Sequence, residues 1–390
     1  MSIKEIDKQF VANTYARFDL EITHGEGSLV YDTQGKEYID LSSGIAVNTF
    51  GMCDPVFINA VNDQLHKCQH TSNLYYSEPC ARLAKLLCQR TGAKKVFFGN
   101  SGAEANECAI KVARLWGSIN KGEKYYNIVT LKNSFHGRTL TTLSATGQDV
   151  FHQYFNPLTQ GFVYGEANNA DSIEKLLMEN NCCAVMMELV QGEGGVMALE
   201  QDFVNSVVKL CEKYNVLLLI DEVQTGNGRT GSLYAYQSYG IEPDVITTAK
   251  GLGGGLPIGA CLMFGKTEGI LGAGLHGSTF GGNPISCAAG ISVIERIDEA
   301  LLDEVKAKSK YVFDELNGAE GIKSVSGMGL MIGIETEADA SAVISKCMEK
   351  GLLPIKAKNK VRLLPPLNIP FDLLKKAVEI IKAVAKESVQ

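Results

Sequence analysis

Val216–Ile220 is an unbroken run of five apolar residues, the length and texture of a strand covered on both faces, and it ends in the charged Asp221. A strand of that kind belongs in a parallel sheet with helices on both faces, which constrains the chain to an α/β fold. A second apolar strand, Asp244–Thr248, ends two residues before Lys250, so neighbouring strand ends present one acid and one amine. Open α/β sheets bind ligands in the crevice beyond the carboxyl ends of their strands, which makes both residues site candidates. Gly251, Gly253, Gly254 and Gly255 follow the lysine, so a bulky planar ligand can reach the amine without meeting side chains.

That pair has the composition of a pyridoxal phosphate site, where a lysine takes the aldehyde and an aspartate keeps the pyridine nitrogen protonated. On these two residues alone, a surface lysine in a flexible glycine loop explains the pattern equally well. The remaining sequence narrows the choice. A chain of 390 residues with 40 glycines and only 10 prolines suits an α/β enzyme with many tight strand-to-helix turns. The net charge of −7, with no basic run, argues against nucleic acid and leaves small molecules as the expected partners. No apolar stretch approaches the roughly 18 residues of a membrane span. The opening MSIKEIDKQF lacks the apolar core of a signal peptide, so a cytoplasmic location is expected.

The eleven cysteines include no C-x-x-C pair, and Cys182 and Cys183 read as small buried hydrophobes. His66 and His70, with Cys68 between them, stand at the end of a helix pattern running from Pro55 to Cys68 with Val56, Ile58, Val61 and Leu65 along one side. Without a third ligand they read as histidines well placed at a helix C-terminus, and no metal is expected.

Further strands are expected at Leu29–Asp32, Glu37–Leu41, Lys95–Phe98, Tyr126–Leu131 and Ala184–Leu189, each ending in polar or glycine residues, so the sheet has one active edge. Beyond Gly277 the texture changes to one long helical stretch to about Leu316. It is followed by strands near Ile322–Val325, Leu330–Thr336 and 354–364, and by helices from Ala340 and Phe371. The expected organisation is therefore residues 1–50 as part of a small domain, 51–279 as the large α/β domain and 280–390 as a C-terminal α+β domain.

After the strand Lys95–Phe98, Gly99-Asn100-Ser101-Gly102-Ala103-Glu104 turns tightly into a helix, which leaves outward-pointing N–H groups suited to a phosphate. Two other readings compete: plain N-capping by Ser101 with Glu104 three residues on, and a nucleophile elbow. The latter makes an α/β-hydrolase with Ser101, Asp221 or Asp244, and His276, but leaves Lys250, Arg138 and Arg362 without a role. A nicotinamide enzyme is disfavoured because Gly251–Leu256 lacks the last glycine of the dinucleotide fingerprint. A non-catalytic binding protein has little reason to keep both lysine and acid.

Taken together, YDTQGKEYIDLSSGIAVN, HTSNLYYSEP, GNSGAEANE, FHGRT, VQGEGGV, DEVQTGNGRTG, HGSTFGGNP and VRLLPP, in this order and spread over nearly the whole chain, resemble the subgroup-III aminotransferases among the fold-type I pyridoxal phosphate enzymes. The resemblance implies that Lys250 is the Schiff-base lysine and Asp221 the partner of the ring nitrogen. It implies a phosphate cup from Ser101, Gly102 and Ala103, completed by Thr279 of a second subunit and therefore a homodimer. Phe135 and Val223 would flank the ring and Gln224 would lie near its hydroxyl. Arg138, Ser278 and Tyr15 would contact substrate, and Glu193 with Arg362 would alternate between the two half-reactions. The implied activity moves the δ-amino group of N2-acetylornithine to 2-oxoglutarate, with N-succinylornithine, N-succinyl-diaminopimelate, ornithine and 4-aminobutyrate as alternative donors. Gly44, lacking a side chain, would leave room for the acylated amine. Two departures stand beside the site: Gly51-Met52-Cys53-Asp54-Pro55 in place of a histidine-bearing turn, and Leu189 in place of a proline after Glu188.

Overall fold

In the computed structural model, which describes residues 1–389, seven strands form the central sheet. In chain order they are β1 (Lys95–Gly99), β2 (Asn127–Leu131), β3 (Phe162–Gly165), β4 (Cys182–Met187), β5 (Leu217–Asp221), β6 (Val245–Thr248) and β7 (Gly259–Met263). Their order across the sheet is β1-β7-β6-β5-β4-β2-β3, and β7 alone runs antiparallel to its neighbours. β3 and β7 were not anticipated. β7 is as apolar as β5 but begins in the same glycine-rich loop that follows Lys250, which hides its start.

Alternation along β5 explains the layers. Leu217 and Leu219 face the helix Gly102–Lys121 in a core with Cys108, Ala109, Val112 and Trp116. Leu218 and Ile220 face the opposite side, in a core with Phe203, Val204 and Val207 of the helix Gln201–Tyr214. Cys182 and Cys183 are fully enclosed, one in each layer.

The C-terminal part builds a four-stranded antiparallel sheet from Ile322–Met328, Met331–Thr336, Lys360–Leu363 and Ile355–Ala357. It shares a second core with the helices Ala340–Glu349 and Phe371–Glu387. The N-terminal strands Ile22–Glu26, Leu29–Asp32 and Glu37–Asp40 form a sheet completed by Leu352–Leu353, with Leu352 opposite Ile39. Both ends of the chain therefore share hydrophobic packing.

Two expected helices differ. The stretch after Gly277 is two helices, Pro284–Ile294 and Glu299–Leu316, because Asp298 accepts the Leu301 N–H at 2.9 Å and starts a new one. The helix Pro55–Leu65 ends three residues early, and Val56, Ile58 and Leu65 of its expected inner side are exposed. Asp54, in the unusual turn before it, caps the Phe57 N–H at 2.9 Å and holds Arg296 at 2.7 Å, which supplies that turn with its own anchor.

Candidate active site

Register places the acid and the amine. β5 and β6 are parallel neighbours with Asp221 opposite Thr247, so Lys250 leaves the sheet one strand away from Asp221. On the other side, Met187 lies opposite Ile220, which brings Glu188, the first residue beyond β4, level with Asp221. Three adjacent strand ends thus deliver Glu188, Asp221 and Lys250.

Asp221 is 3% exposed and its two oxygens accept three hydrogen bonds. Oδ2 takes Asn106 Nδ2 and His136 Nδ1, both at 2.8 Å, and Oδ1 takes the Val223 N–H at 3.0 Å. Asn106 is fixed in turn by Thr247, whose hydroxyl donates to its Oδ1 at 2.6 Å. His136 is enclosed. Burial works against its charged form, but the hydrogen bond and charge of Asp221 outweigh it and raise the imidazole above its ordinary value. The Nδ1 proton is assigned from the carboxylate it faces. Among the described residues, His136 Nε2 has no hydrogen-bond partner.

Glu188 accepts the Phe135 N–H at 2.8 Å. Burial pushes its carboxyl up to about 8, with the charge of Asp221 adding to the rise and His136 opposing it. Lys250 moves the other way. Desolvation pulls its amine down to about 8; Arg362 lowers it further, while Glu193, Asp221 and Glu188 oppose the fall. At neutral pH roughly one lysine in ten is then an uncharged nucleophile, against about one in several thousand for an unperturbed amine.

The loop between β1 and the helix Gly102–Lys121 lies over the same end of the sheet. Ser101 caps the helix by accepting the Glu104 N–H at 3.2 Å, and the Glu104 carboxylate reaches back to the Asn100 N–H at 2.7 Å. Plain capping is therefore real. It leaves the N–H groups of Ser101, Gly102 and Ala103 without protein acceptors among the described residues. Space is tight around them: a Cβ on Gly102 would lie 2.6 Å from Val223 Cγ1, one on Gly259 2.1 Å from the Ser101 carbonyl, and one on Gly137 2.9 Å from Ala103 Cβ. These glycines let Val223, β7 and the Phe135–Arg138 loop converge on the helix start.

Phe135 stands edge-on to Phe151 at 5.7 Å, and the exposed Arg138 guanidinium lies 4.3 Å over the Phe151 ring and 5.6 Å over Phe135. Arg362, 2% exposed on the strand Lys360–Leu363, donates through Nη1 to Glu193 Oε1 at 2.7 Å and to Gln224 Oε1 at 3.3 Å. Its Nε is buried without a partner among the described residues.

Ser278 accepts Asn100 Nδ2 at 3.0 Å and so touches the loop that bears Ser101. Thr279 beside it is exposed, and so is Tyr15, whose ring lies 5.6 Å from Arg17 Cζ in the N-terminal segment. Neither is gathered with the others within one chain. Gly44 has φ +66°, and a Cβ there would meet Asn48 and Val47 at ordinary contact distances of 3.4 and 3.6 Å. The hydrolase constellation does not exist. Ser101 Oγ bonds Glu104, His276 Nδ1 is 3.1 Å from Lys111 Nζ and tilts on Phe97, and Asp221 is taken by Asn106 and His136.

Asn106, His136 and Glu188 were not assigned roles from the sequence. His136 sits in the quoted FHGRT cluster and Glu188 at a strand end, so position was the available signal for both. Asn106 lies in the quoted GNSGAEANE stretch, but as a polar residue on a buried helix face it carried no chemistry of its own to read.

The model for class-III aminotransferases matches residues 10–385. An acetylornithine aminotransferase of Haemophilus ducreyi is 48% identical over 99% of this chain and 98% of that protein. The acetylornithine aminotransferase of Aquifex aeolicus is 43% identical over 96% and 99%. Among solved structures, an ornithine aminotransferase from Toxoplasma gondii, described with partial occupancy of pyridoxal phosphate at its active site, superposes with a TM-score of 0.94 at 30% identity, covering 99% of this chain and 94% of that one. The N-acetylornithine aminotransferase of Stenotrophomonas maltophilia superposes with a TM-score of 0.85 at 32% identity, covering 99% of each chain.

Proposed function

The chain belongs to the class-III aminotransferase family, and from that premise we propose that it moves the δ-amino group of N2-acetylornithine to 2-oxoglutarate. The products are N-acetylglutamate 5-semialdehyde and glutamate, a step of arginine biosynthesis. The observation that carries the chemistry is the placement of Asp221 and Lys250 on adjacent strand ends beneath an open helix start. The choice of donor rests on the likeness to curated acetylornithine aminotransferases over nearly the whole chain.

The cofactor is pyridoxal 5′-phosphate, which supplies an aldehyde and a ring able to store an electron pair. The residues present fit it: three unpartnered N–H groups for the phosphate, a buried carboxylate for a protonated ring nitrogen, and an amine lowered to about 8 for the aldehyde. In this reading Ser101, Gly102 and Ala103 would hold the phosphate, Phe135 and Val223 would flank the ring, and Gln224 would lie near its hydroxyl. Asp221 keeps the ring proton in place, and Lys250 Nζ accepts and returns the proton at the reacting substrate carbon.

We further read the protein as a cytoplasmic homodimer. Leu74, Tyr75, Tyr76 and Phe280 form exposed apolar surface near Thr279, which a second copy would cover while receiving that threonine at its phosphate cup. Tyr15 and Ser278 are then assigned to substrate. Eleven free thiols suit a reducing compartment.

Arginine forks match carboxylates bidentately. Arg138 is assigned the distal carboxylate of both substrates, so Arg362 meets a carboxylate only with 2-oxoglutarate or glutamate. With the acylated diamine, Glu193 neutralises Arg362 at 2.7 Å. Removing it leaves a buried, unpaired guanidinium beside an aliphatic chain, so Glu193→Ala is expected to slow the half-reaction with N2-acetylornithine by about ten- to a hundredfold. The half-reaction with glutamate should be spared. Stopped-flow measurement of each half-reaction decides it, and equal losses would refute the switch. The donor itself is tested by steady-state kcat/KM with 2-oxoglutarate as acceptor: N2-acetylornithine is expected to exceed ornithine, and the reverse order would move the assignment to an ornithine aminotransferase.

A further inference from the structure

Lys250 has φ +47°, a left-handed backbone conformation unfavourable for a residue with a side chain, so its surroundings have to impose it. The carbonyls on either side of it are each held by a buried side chain. Asn227 Nδ2 donates to the Ala249 carbonyl at 3.1 Å and to Thr248 Oγ1 at 3.0 Å. Thr49 Oγ1 donates to the Gly251 carbonyl at 2.9 Å. The two side chains close over Gly251, where a Cβ would lie 2.8 Å from Thr49 Oγ1 and 3.3 Å from Asn227 Cβ.

Thr49 comes from a different part of the chain. Its carbonyl accepts the Leu367 N–H at 2.9 Å, the Leu41 carbonyl accepts the Leu364 N–H at 2.6 Å, and the Ser43 hydroxyl donates to the Leu364 carbonyl at 2.6 Å. Leu364 follows directly on the strand that carries Arg362. The strap so stitched includes four consecutive left-handed residues, Ser43, Gly44, Ile45 and Ala46, at φ 43°, 66°, 64° and 61°. A β-branched isoleucine does not hold that conformation unaided, so its shape is set by these attachments.

We propose that Thr49 is a positioning residue for Lys250: its hydroxyl fixes the Gly251–Leu252 peptide, one residue beyond the lysine, and so helps hold the left-handed backbone that directs Nζ at the cofactor aldehyde and ties that aim to the segment bearing Arg362. This rests on the reading of Lys250 as the residue that attaches the cofactor. An ordinary buried threonine satisfying a carbonyl would contribute to stability alone, and the two differ in what a spectroscopic titration reads.

The test uses holoenzyme of the wild type, Thr49→Val and Thr49→Ser. Valine keeps the shape and removes the donor, while serine keeps the donor. The proposal expects Thr49→Val to shift the midpoint of the pH titration of the bound cofactor's visible absorption and to weaken cofactor retention roughly tenfold by equilibrium dialysis. Thr49→Ser should restore both. A lowered Tm with unchanged midpoint and retention overturns it, as does failure of serine to rescue. Should Thr49→Val not fold, Thr49→Ala reads loss of the same hydroxyl with no branched substitute. Peptide mapping of borohydride-reduced wild-type enzyme keeps the underlying reading separate. A label away from Lys250 removes both claims, whereas a label on Lys250 with an unshifted Thr49→Val overturns the role of Thr49 alone.

Discussion

Lys250→Ala is expected to fold, to bind pyridoxal phosphate without covalent attachment, and to lose at least about three to four orders of magnitude in both half-reactions. Two roles fall together in one side chain. In the proposed function the amine attaches the cofactor, and burial lowers it to about 8, which brings its loss of a proton close to neutrality. Arg362 is close enough to lower it further but is itself a permanent cation. The other groups at the strand ends, Glu188, Asp221 and His136, are tied up with one another or with backbone. None of them can take over both tasks. Borohydride reduction followed by mass measurement checks the attachment, and single-turnover absorbance checks the rates. Turnover close to that of the wild type would remove Lys250 from the mechanism.

The fold was legible where hydrophobic periodicity was strong. β5 and β6 could be read as buried strands because every position in them faces a layer of helices, and their polar ends followed from the same reasoning. β7 was not seen because Gly259 opens it, and that glycine is there for a reason the sequence does not state: the Ser101 carbonyl passes where its side chain would be. The helix Pro55–Leu65 misled because apolar residues at helical spacing say nothing about which of them meets the chain's own core. Its expected inner residues Val56, Ile58 and Leu65 are at the surface. In the site, residues with distinctive chemistry in glycine-rich turns announced themselves. Asn106 and Thr49 did not, since their value lies in bonding partners more than a hundred residues away, and such pairings arise only once the strands are in register.

Asp221→Asn is expected to keep the covalent attachment through Lys250 and to lower the rate of each half-reaction by about two to four orders of magnitude. The carboxylate accepts at both oxygens, from Asn106 and His136 on one and from the Val223 N–H on the other. An amide in its place must turn an NH2 toward one of those donors, so one buried hydrogen bond is replaced by a donor–donor contact at a cost of about 1–3 kcal/mol. The electrostatic change is larger in consequence. Without the charge, the imidazole of His136 loses the hydrogen bond and charge that raise it against burial, and it shifts downward. For Glu188, whose carboxyl burial pushes up to about 8 in the wild type, losing positive charge on His136 raises the carboxyl while losing the Asp221 charge lowers it, so burial continues to set its position. In the proposed role the charge that would support a protonated ring nitrogen is then gone from its place, and each unit of lowered nitrogen pKa would remove about 1.4 kcal/mol of stabilisation from the electron pair held during proton transfer. Attachment depends on Lys250 and persists, so the variant separates binding from rate. Visible absorption on addition of cofactor, beside single-turnover rates with N2-acetylornithine and with glutamate, makes the comparison. Unchanged rates in both half-reactions would show that this carboxylate holds the loop of His136 and does nothing for the ring.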